Sequence, residues 1–111
     1  MAALAVGLLL ASVRRIAAGD AFVRRGEWSR GHRPPDVRGM TGRKVGVYGL
    51  GAIGAKIARR CEAFEMEVAW HGRAPREAPY PYFATLLDLE RWADVLMVAI
   101  RAGPHNRHAV N

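Results

Sequence analysis

The sequence predicts an α/β fold, part of a doubly wound parallel sheet that is preceded by an apolar N-terminal helix. Three β-rich segments alternate with helix-like segments, the pattern of parallel strands joined by crossover helices. The first of these strands leads directly into a glycine-rich turn and a helix. Right-handed crossovers place the second and third strands on opposite sides of the first, so a ligand crevice is expected at the carboxyl ends of Tyr48 and Ile100.

The sequence predicts an N-terminal helical segment over residues 1–38 and the partial sheet domain over residues 39–111. Residues 2–17 are apolar over most of a helix circumference, so this helix must be covered on more than one side. The run is shorter than the roughly 20 residues that span a bilayer. A signal peptide is the alternative, but its charge precedes the apolar run, whereas Arg14 and Arg15 follow it here. We therefore expect no membrane partner.

Capping residues mark two shorter helices. Asp20 is the expected N-cap of a helix that runs through Arg25 and stops at Gly26. Thr85, with Asp88 three residues later, is a variant of the capping box and predicts a helix start.

Periodicity predicts the remaining elements. A helix over residues 53–64 would place Ile53, Ile57 and Phe64 on its inner side. The strand expected within residues 94–100 is continuously apolar, which is typical of a parallel strand buried on both faces. Further strands are predicted at residues 44–48 and 67–71 and, as a very short segment, at 82–83.

Composition restricts the classes of function. The chain has 111 residues, enough for one small domain, a net charge of +7 and a sequence pI of about 10.7. A basic nucleic-acid binder is one alternative, but the basic residues are scattered in pairs and no nucleic-acid-binding motif accompanies them. We therefore expect no nucleic-acid partner.

His105 and His108 have a metal-compatible spacing without any further ligand cluster, so no metal is expected.

Cys61 is the single cysteine, so no disulfide can form within the chain. This indicates a reducing compartment, the cytoplasm. The preceding Arg59 and Arg60 could activate a thiolate. A small, half-buried helix residue is the favoured interpretation.

A dinucleotide-binding motif stands between the first strand and its helix: Gly49-Leu50-Gly51-Ala52-Ile53-Gly54. Gly49 allows the tight turn, Gly51 lets the backbone approach a pyrophosphate, and Gly54 lets the helix pack close to the strand. The helix N-terminus presents free N–H groups to the phosphates. The alternative is a glycine turn that binds nothing. With a strand before it and a helix after it, the motif favours a Rossmann-type NAD(P) site.

The end of the second strand indicates which cofactor is bound. A carboxylate there would bind the adenosine ribose, but the expected position is Gly72, and His71 and Arg73 flank it. Arg73 and Arg76 could hold a 2′-phosphate, so NADP is favoured over NAD. A solvated basic loop is the alternative.

Several ordered motifs together resemble the D-isomer-specific 2-hydroxyacid dehydrogenases, particularly the glyoxylate/hydroxypyruvate reductase branch. They cover residues 5–16, 23–28, 38–46 with the glycine loop after them, 68–73, and 93–111. The resemblance implies an oxidoreductase acting on CH–OH, which reduces a small 2-keto acid such as glyoxylate or hydroxypyruvate. It also implies that the first helix helps to form a homodimer.

The resemblance places Arg101 in the loop beside the nicotinamide ribose, where family members often carry Pro, and Ile100 precedes it at the crevice. The reaction needs a cation for the substrate carboxylate and a general acid, in this family a His oriented by a Glu. The family's catalytic Arg, Glu and His follow the motif that ends at Asn111. We therefore expect no catalytic residue among these 111 residues and no activity from them alone.

A non-catalytic, dimerising interaction module is the alternative function. Three strands and an incompletely covered helix would leave an exposed sheet edge and an apolar patch. The isolated chain is therefore expected to be marginally stable or prone to aggregation.

Overall fold

A computed structural model describes residues 1–32 and 39–100 of the chain. Within them the elements are α1 (Ala2–Val13), α2 (Ile16–Arg24), β1 (Lys44–Tyr48), α3 (Ala52–Ala63), β2 (Glu67–His71), α4 (Leu86–Trp92) and β3 (Val95–Val98). The three strands form one parallel sheet in the order β2-β1-β3. The partial, doubly wound sheet predicted from the sequence is therefore confirmed.

The register of the sheet brings the carboxyl ends of the strands together. Tyr48, the last residue of β1, pairs with His71 of β2 on one side and with Val98 of β3 on the other. The turns that leave the three strands consequently lie at one edge of the sheet, where parallel α/β sheets bind ligands.

Helices cover both faces of β1. Successive residues of the strand point to opposite faces, so neighbouring residues contact different helices. On one face, a methyl group built on Gly54 of α3 would lie 3.4 Å from Val47 Cγ1. On the other face, a methyl group on Gly46 would lie 2.9 Å from Cγ of Leu89 in α4. The absence of a side chain at Gly46 is therefore what lets α4 pack closely against the sheet.

A cluster of buried side chains joins α1, α3 and the sheet. Its members are Ala2, Leu9, Val45, Val47, Leu50, Ile57, Ala58, Cys61, Met66, Val68 and Trp70. Because α1 contributes to this cluster, the N-terminal segment shares its core with the sheet. The division between residues 1–38 and 39–111 stays a prediction.

The N-terminal helix is broken, so the prediction of one helix over residues 2–17 is wrong. Arg15 has a left-handed backbone conformation with φ of 51° and separates α1 from α2. Asp20 lies inside α2 rather than at its N-cap, and it accepts a hydrogen bond of 2.8 Å from Nε of Arg24. The apolar periodicity continues through the break and therefore does not reveal it. The predicted stop at Gly26 is confirmed, since its φ is 73° and it follows the helix end.

The inner face of α3 also differs from the prediction. Ile57 is buried as expected, but Ile53 is 43% exposed and Phe64 is 38% exposed. The buried face is built instead around Gly54 and Cys61. A small-residue face brings the helix axis closer to the sheet, and Phe64 is the C-cap residue, beyond the last helical turn.

Strand β3 is parallel, as predicted, but it is shorter than the expected run of residues 95–100 and is not buried on both faces. It ends at Val98, which is 52% exposed. In the described part of the chain it pairs only with β1, so its outer edge carries no strand. Two smaller predictions are confirmed: Tyr82 forms a parallel bridge with Trp70, and Thr85 caps α4 by accepting a 3.1 Å hydrogen bond from the Asp88 N–H.

Large apolar side chains remain exposed on α1 and α2. They include Leu4, Leu8, Ile16 and Val23, each at least 56% exposed. Among residues 1–32 and 39–100, no single helix is long and apolar enough to cross a membrane. Helices α1 and α2 have the necessary length and hydropathy only when taken together, and that pair is bent by 55°.

Candidate cofactor-binding site

A cavity of about 1090 Å³ opens at the carboxyl edge of the sheet. It lies where the order of strands reverses about β1, the position at which doubly wound sheets bind their ligands. Its walls come from the turn after β1, the turn after β2 and the end of β3, together with the start of α1. The residues concerned are Met1, Ala5, 48–53, Ile57, 70–74, Arg76, Tyr82, Ala84 and 98–100.

Gly49 makes the turn at the end of β1. Its φ is 97°, a conformation that side chains other than glycine rarely adopt. A methyl group there would lie 2.8 Å from Cγ2 of Ile100 and 2.9 Å from the carbonyl oxygen of Ala99. The Gly49 N–H donates a 2.8 Å hydrogen bond to the His71 carbonyl. The turn is therefore fixed between β2 and β3, and only glycine fits it.

Gly51 and Gly54 have different surroundings, although both belong to the motif. A methyl group on Gly54 would overlap the carbonyl oxygen of Gly49, so the absent side chain allows the helix to meet the turn. A methyl group on Gly51 would meet no atom within 4 Å and would project into open space. Gly51 therefore keeps the backbone accessible, whereas Gly54 serves packing.

Helix α3 begins at Ala52 beside this cavity, with Gly51 as N-cap and no side-chain cap. The first N–H groups of an α-helix have no acceptor within the helix. Together with the helix dipole they attract anions. The open space at Gly51 and these donors fit a pyrophosphate, and Ala52 and Ile53 both line the cavity.

A group of aromatic rings forms the wall at the end of β2. The His71 ring lies between Tyr48 and Tyr82, with ring centroids 5.5 Å and 5.9 Å away. Its Nδ1 is 2.8 Å from the carbonyl oxygen of Phe83, and since a carbonyl only accepts, Nδ1 carries the proton. The hydroxyl of Tyr82 donates to the carbonyl of Gly72 at 3.1 Å. Sequence reasoning missed this group, and its only signal was the predicted short strand at residues 82–83.

Arg73 and Arg76 stand at the same end of the cavity, and both are exposed. The Arg76 guanidinium lies 5.9 Å from the centre of the Trp70 ring. The run from His71 to Arg73 carries no carboxylate. The charged residues of this loop that line the cavity are both cations.

The structure thus brings most of the predicted cofactor-binding residues to one cavity. Gly49, Gly51, Ala52, Ile53, Gly72, Arg73, Arg76 and Ile100 line it. Gly54 lies behind the turn, in contact with Gly49. Arg101, His105 and His108 fall outside the described residues.

Cys61 is fully buried in α3, and burial raises the pKa of its thiol to about 11. The thiol is therefore protonated at neutral pH, which contradicts activation by the neighbouring arginines. Burial is also deeper than the half-buried state expected. Among the residues that the structure describes, no group of three potential ligands could hold a metal ion.

Fold and cavity define a nucleotide-binding α/β domain. The family described as D-isomer specific 2-hydroxyacid dehydrogenase, NAD binding domain, matches residues 6–111. The chain belongs to this family, and the resemblance noted in its motifs is confirmed.

Two relatives and one solved structure illustrate the similarity. The chain is 38% identical over its whole length to glyoxylate/hydroxypyruvate reductase A of Arabidopsis thaliana and covers 36% of it. It is 39% identical to 2-ketogluconate reductase of Gluconobacter oxydans, again over its whole length and 36% of the relative. The crystal structure of an NADPH-dependent glyoxylate/hydroxypyruvate reductase from Sinorhizobium meliloti, in complex with NADP and malonate, matches with a TM-score of 0.89 and 39% identity over 99% of this chain and 35% of that one.

The chain thus spans about a third of the length of the relatives it matches. As a member of the family it is an NAD(P)-binding domain of the 2-hydroxyacid dehydrogenases, a family of oxidoreductases.

Proposed function

We propose that this chain binds NADP(H) in preference to NAD(H). The observation that carries the proposal is the shared cavity: the glycine turn and Arg73, which follow two neighbouring strands, line the same space. A guanidinium can hold a 2′-phosphate through two donors, and no carboxylate stands beside Gly72 to repel it. The name of the Sinorhizobium meliloti relative, an NADPH-dependent reductase, supports the same preference.

Each part of the cofactor has candidate partners. Gly51, with the N–H groups of Ala52 and Ile53, would hold the pyrophosphate, and Gly49 and Gly54 would shape the turn that presents them. Gly72, Arg73 and Arg76 would hold the adenosine end, and Ile100 would lie toward the nicotinamide. The resemblance to the family implies the same role for Arg101. Bound NADPH would supply a hydride, and the residues of this chain would orient the cofactor.

The comparison of two reduced cofactors tests this proposal. Purified protein is titrated into NADPH and, separately, into NADH, and nicotinamide fluorescence is followed. Tighter binding of NADPH supports the proposal. Equal or tighter binding of NADH would contradict the preference, and saturation by neither at millimolar concentration would contradict a working site.

We propose further that the reaction served by this site is the reduction of a small 2-keto acid such as glyoxylate or hydroxypyruvate, and that these 111 residues do not catalyse it alone. The substrate class follows from the names of the relatives. In the described chain the histidines are His71, at the adenosine end, and His32, in the segment before β1, so neither is placed as a general acid. Absorbance of NADPH with added glyoxylate should stay constant, and a steady decrease would contradict the proposal.

A dimer is the second proposal and would cover the exposed apolar side chains of α1 and α2. Leu4 and Leu8 are 62% and 63% exposed on the same helix face, one turn apart. A defined dimer by light scattering, converted to monomer by Leu8→Glu, would support it, and a stable wild-type monomer would contradict it.

For the cellular location we propose the cytoplasm, supported by the single, free Cys61.

A further inference from the structure

The segment between β2 and α4 returns to pair with Trp70 of β2 before α4 begins. The Trp70 N–H donates to the Pro81 carbonyl at 3.0 Å, and the Phe83 N–H donates to the Trp70 carbonyl at 2.8 Å. Residues 81–83 therefore run beside β2 as a short added strand. The residues between Trp70 and Pro81 include Arg73 and Arg76. The pairing therefore closes this stretch into a loop beside the cavity.

The side chain of Tyr82 joins this added strand to the start of the loop. Its hydroxyl donates a 3.1 Å hydrogen bond to the carbonyl of Gly72, the residue that immediately precedes Arg73. As a glycine, Gly72 has few intrinsic restrictions on its backbone dihedral angles. A hydrogen bond to its carbonyl therefore restrains the peptide that leads into Arg73.

The hydroxyl and the ring of Tyr82 make separate contacts. The ring packs edge-on against Trp70, with centroids 4.7 Å apart, and stacks on His71. Backbone pairing through residues 81–83 does not involve the phenol. Removing the hydroxyl alone should consequently leave ring packing and the added strand in place.

We propose that Tyr82 is a positioning residue for cofactor selection: its hydroxyl fixes the Gly72 carbonyl and so presents Arg73 to the 2′-phosphate. The inference rests on the proposed function of the site. Arg73 is exposed, and an exposed guanidinium loses conformational freedom when it binds a phosphate. A restrained backbone before it reduces that loss for the phosphorylated ligand only.

The test uses two ligands that differ by the 2′-phosphate, 2′,5′-ADP and 5′-AMP, with affinities measured by calorimetry. Tyr82→Phe should weaken 2′,5′-ADP about three- to tenfold, the range of one hydrogen bond, and leave 5′-AMP unchanged. Tyr80→Phe is the matched control, because the Tyr80 hydroxyl bonds Glu62 of α3 at 2.9 Å and not the start of the loop. It should leave both affinities unchanged.

A second variant displaces the same peptide without touching Tyr82. A methyl group on Gly72 would lie 2.9 Å from Cζ3 of the buried Trp70 ring, so Gly72→Ala should shift the loop. Because Gly72 itself lines the cavity, we expect Gly72→Ala to weaken both ligands, and 2′,5′-ADP by the larger factor. If either variant weakens both ligands equally, Tyr82 supports the general fold and the inference is wrong.

Arg73→Ser separates failure of the inference from failure of the proposed function. If the wild-type chain does not prefer 2′,5′-ADP over 5′-AMP, the proposed NADP preference fails, and the inference with it. If Arg73→Ser removes the preference but Tyr82→Phe keeps it, only the inference is overturned. If Tyr82→Phe removes the preference but Arg73→Ser does not, the hydroxyl does not act through Arg73, which also overturns the inference.

Discussion

Gly54 in the first turn of α3 lies directly against the backbone carbonyl of Gly49, with no side chain between the helix and the turn. This contact joins the two ends of the motif. The glycines of the motif therefore have different roles. Gly54 is closed in by backbone, whereas Gly51 faces open space.

Gly54→Ala should therefore destabilise the fold. The added methyl group overlaps a backbone oxygen that cannot rotate away, and overpacking of this kind costs about 1–3 kcal/mol. Because the overlap is with backbone, we expect a cost in the upper part of this range, which the gain in helix propensity from glycine to alanine, at most about 1 kcal/mol, does not offset. Urea unfolding followed by circular dichroism measures the change. Unchanged stability would mean that the turn can move away from α3.

Gly51→Ala is the matched variant with the opposite profile. The methyl group meets no atom beyond its chain neighbours within 4 Å, and the φ of −83° suits alanine, so unfolding should change by no more than about 1 kcal/mol, the preference for glycine over alanine at an N-cap. It would occupy the space proposed for the pyrophosphate, so the affinities for NADPH and NADH should both fall by about tenfold or more. Wild-type affinity in this variant would exclude close approach of the pyrophosphate to Gly51.

Arg73→Ser should reduce affinity for NADPH by at least about tenfold, the lower value of a hydrogen bond to a charged group, and leave affinity for NADH unchanged. Arg60→Ser is the control, because Arg60 is exposed on α3, does not line the cavity and carries the same charge. Fluorescence titration at fixed ionic strength measures both. An equal effect of the two substitutions would indicate a general electrostatic attraction instead of a specific contact.

Cys61 should make the fold less stable at alkaline pH. Burial raises the pKa of its thiol from 9.0 to about 11, so the unfolded chain loses its proton first as the pH rises. The contribution of the protonated thiol is complete below about pH 9 and is lost between pH 9 and 11. The maximum is about 2–3 kcal/mol, since each pKa unit corresponds to about 1.4 kcal/mol.

Unfolding free energies at pH 8 and pH 10.5 measure this contribution, and Cys61→Ala is the control. The variant should lack the part of the pH dependence that comes from the thiol. The same slope in wild type and variant would assign the alkaline instability to other groups.

The strand order and the glycine turn could be predicted because their signals are local and physical. The β-rich run before Gly49 and the helix after it leave few arrangements, and right-handed crossovers then determine the order of the strands. Thr85 similarly predicts the start of α4 through one side-chain hydrogen bond three residues away. These features need no knowledge of distant contacts.

The features that could not be predicted depend on single dihedral angles or on contacts between distant residues. Arg15 breaks the first helix through its positive φ, although nothing in its residue type requires that conformation. Cys61 and Ile57 were predictable helix residues, but the exposure of Ile53 depends on how closely the helix approaches the sheet. The hydrogen bond between Tyr82 and Gly72 joins residues ten positions apart and leaves no periodic pattern.

The central place of β1 in the sheet has a consequence for the order of folding. Lys44 pairs with Glu67, 23 positions along the chain, whereas Val45 pairs with Val95, 50 positions along. Loop closure costs about 0.6 kcal/mol more for each doubling of length, so the nearer pairing has the smaller entropic barrier. We expect β1, α3 and β2 to associate before β3 is added. The half of the crevice that contains the glycine turn and Arg73 would then form from local sequence, and the half beside Ile100 would be completed last.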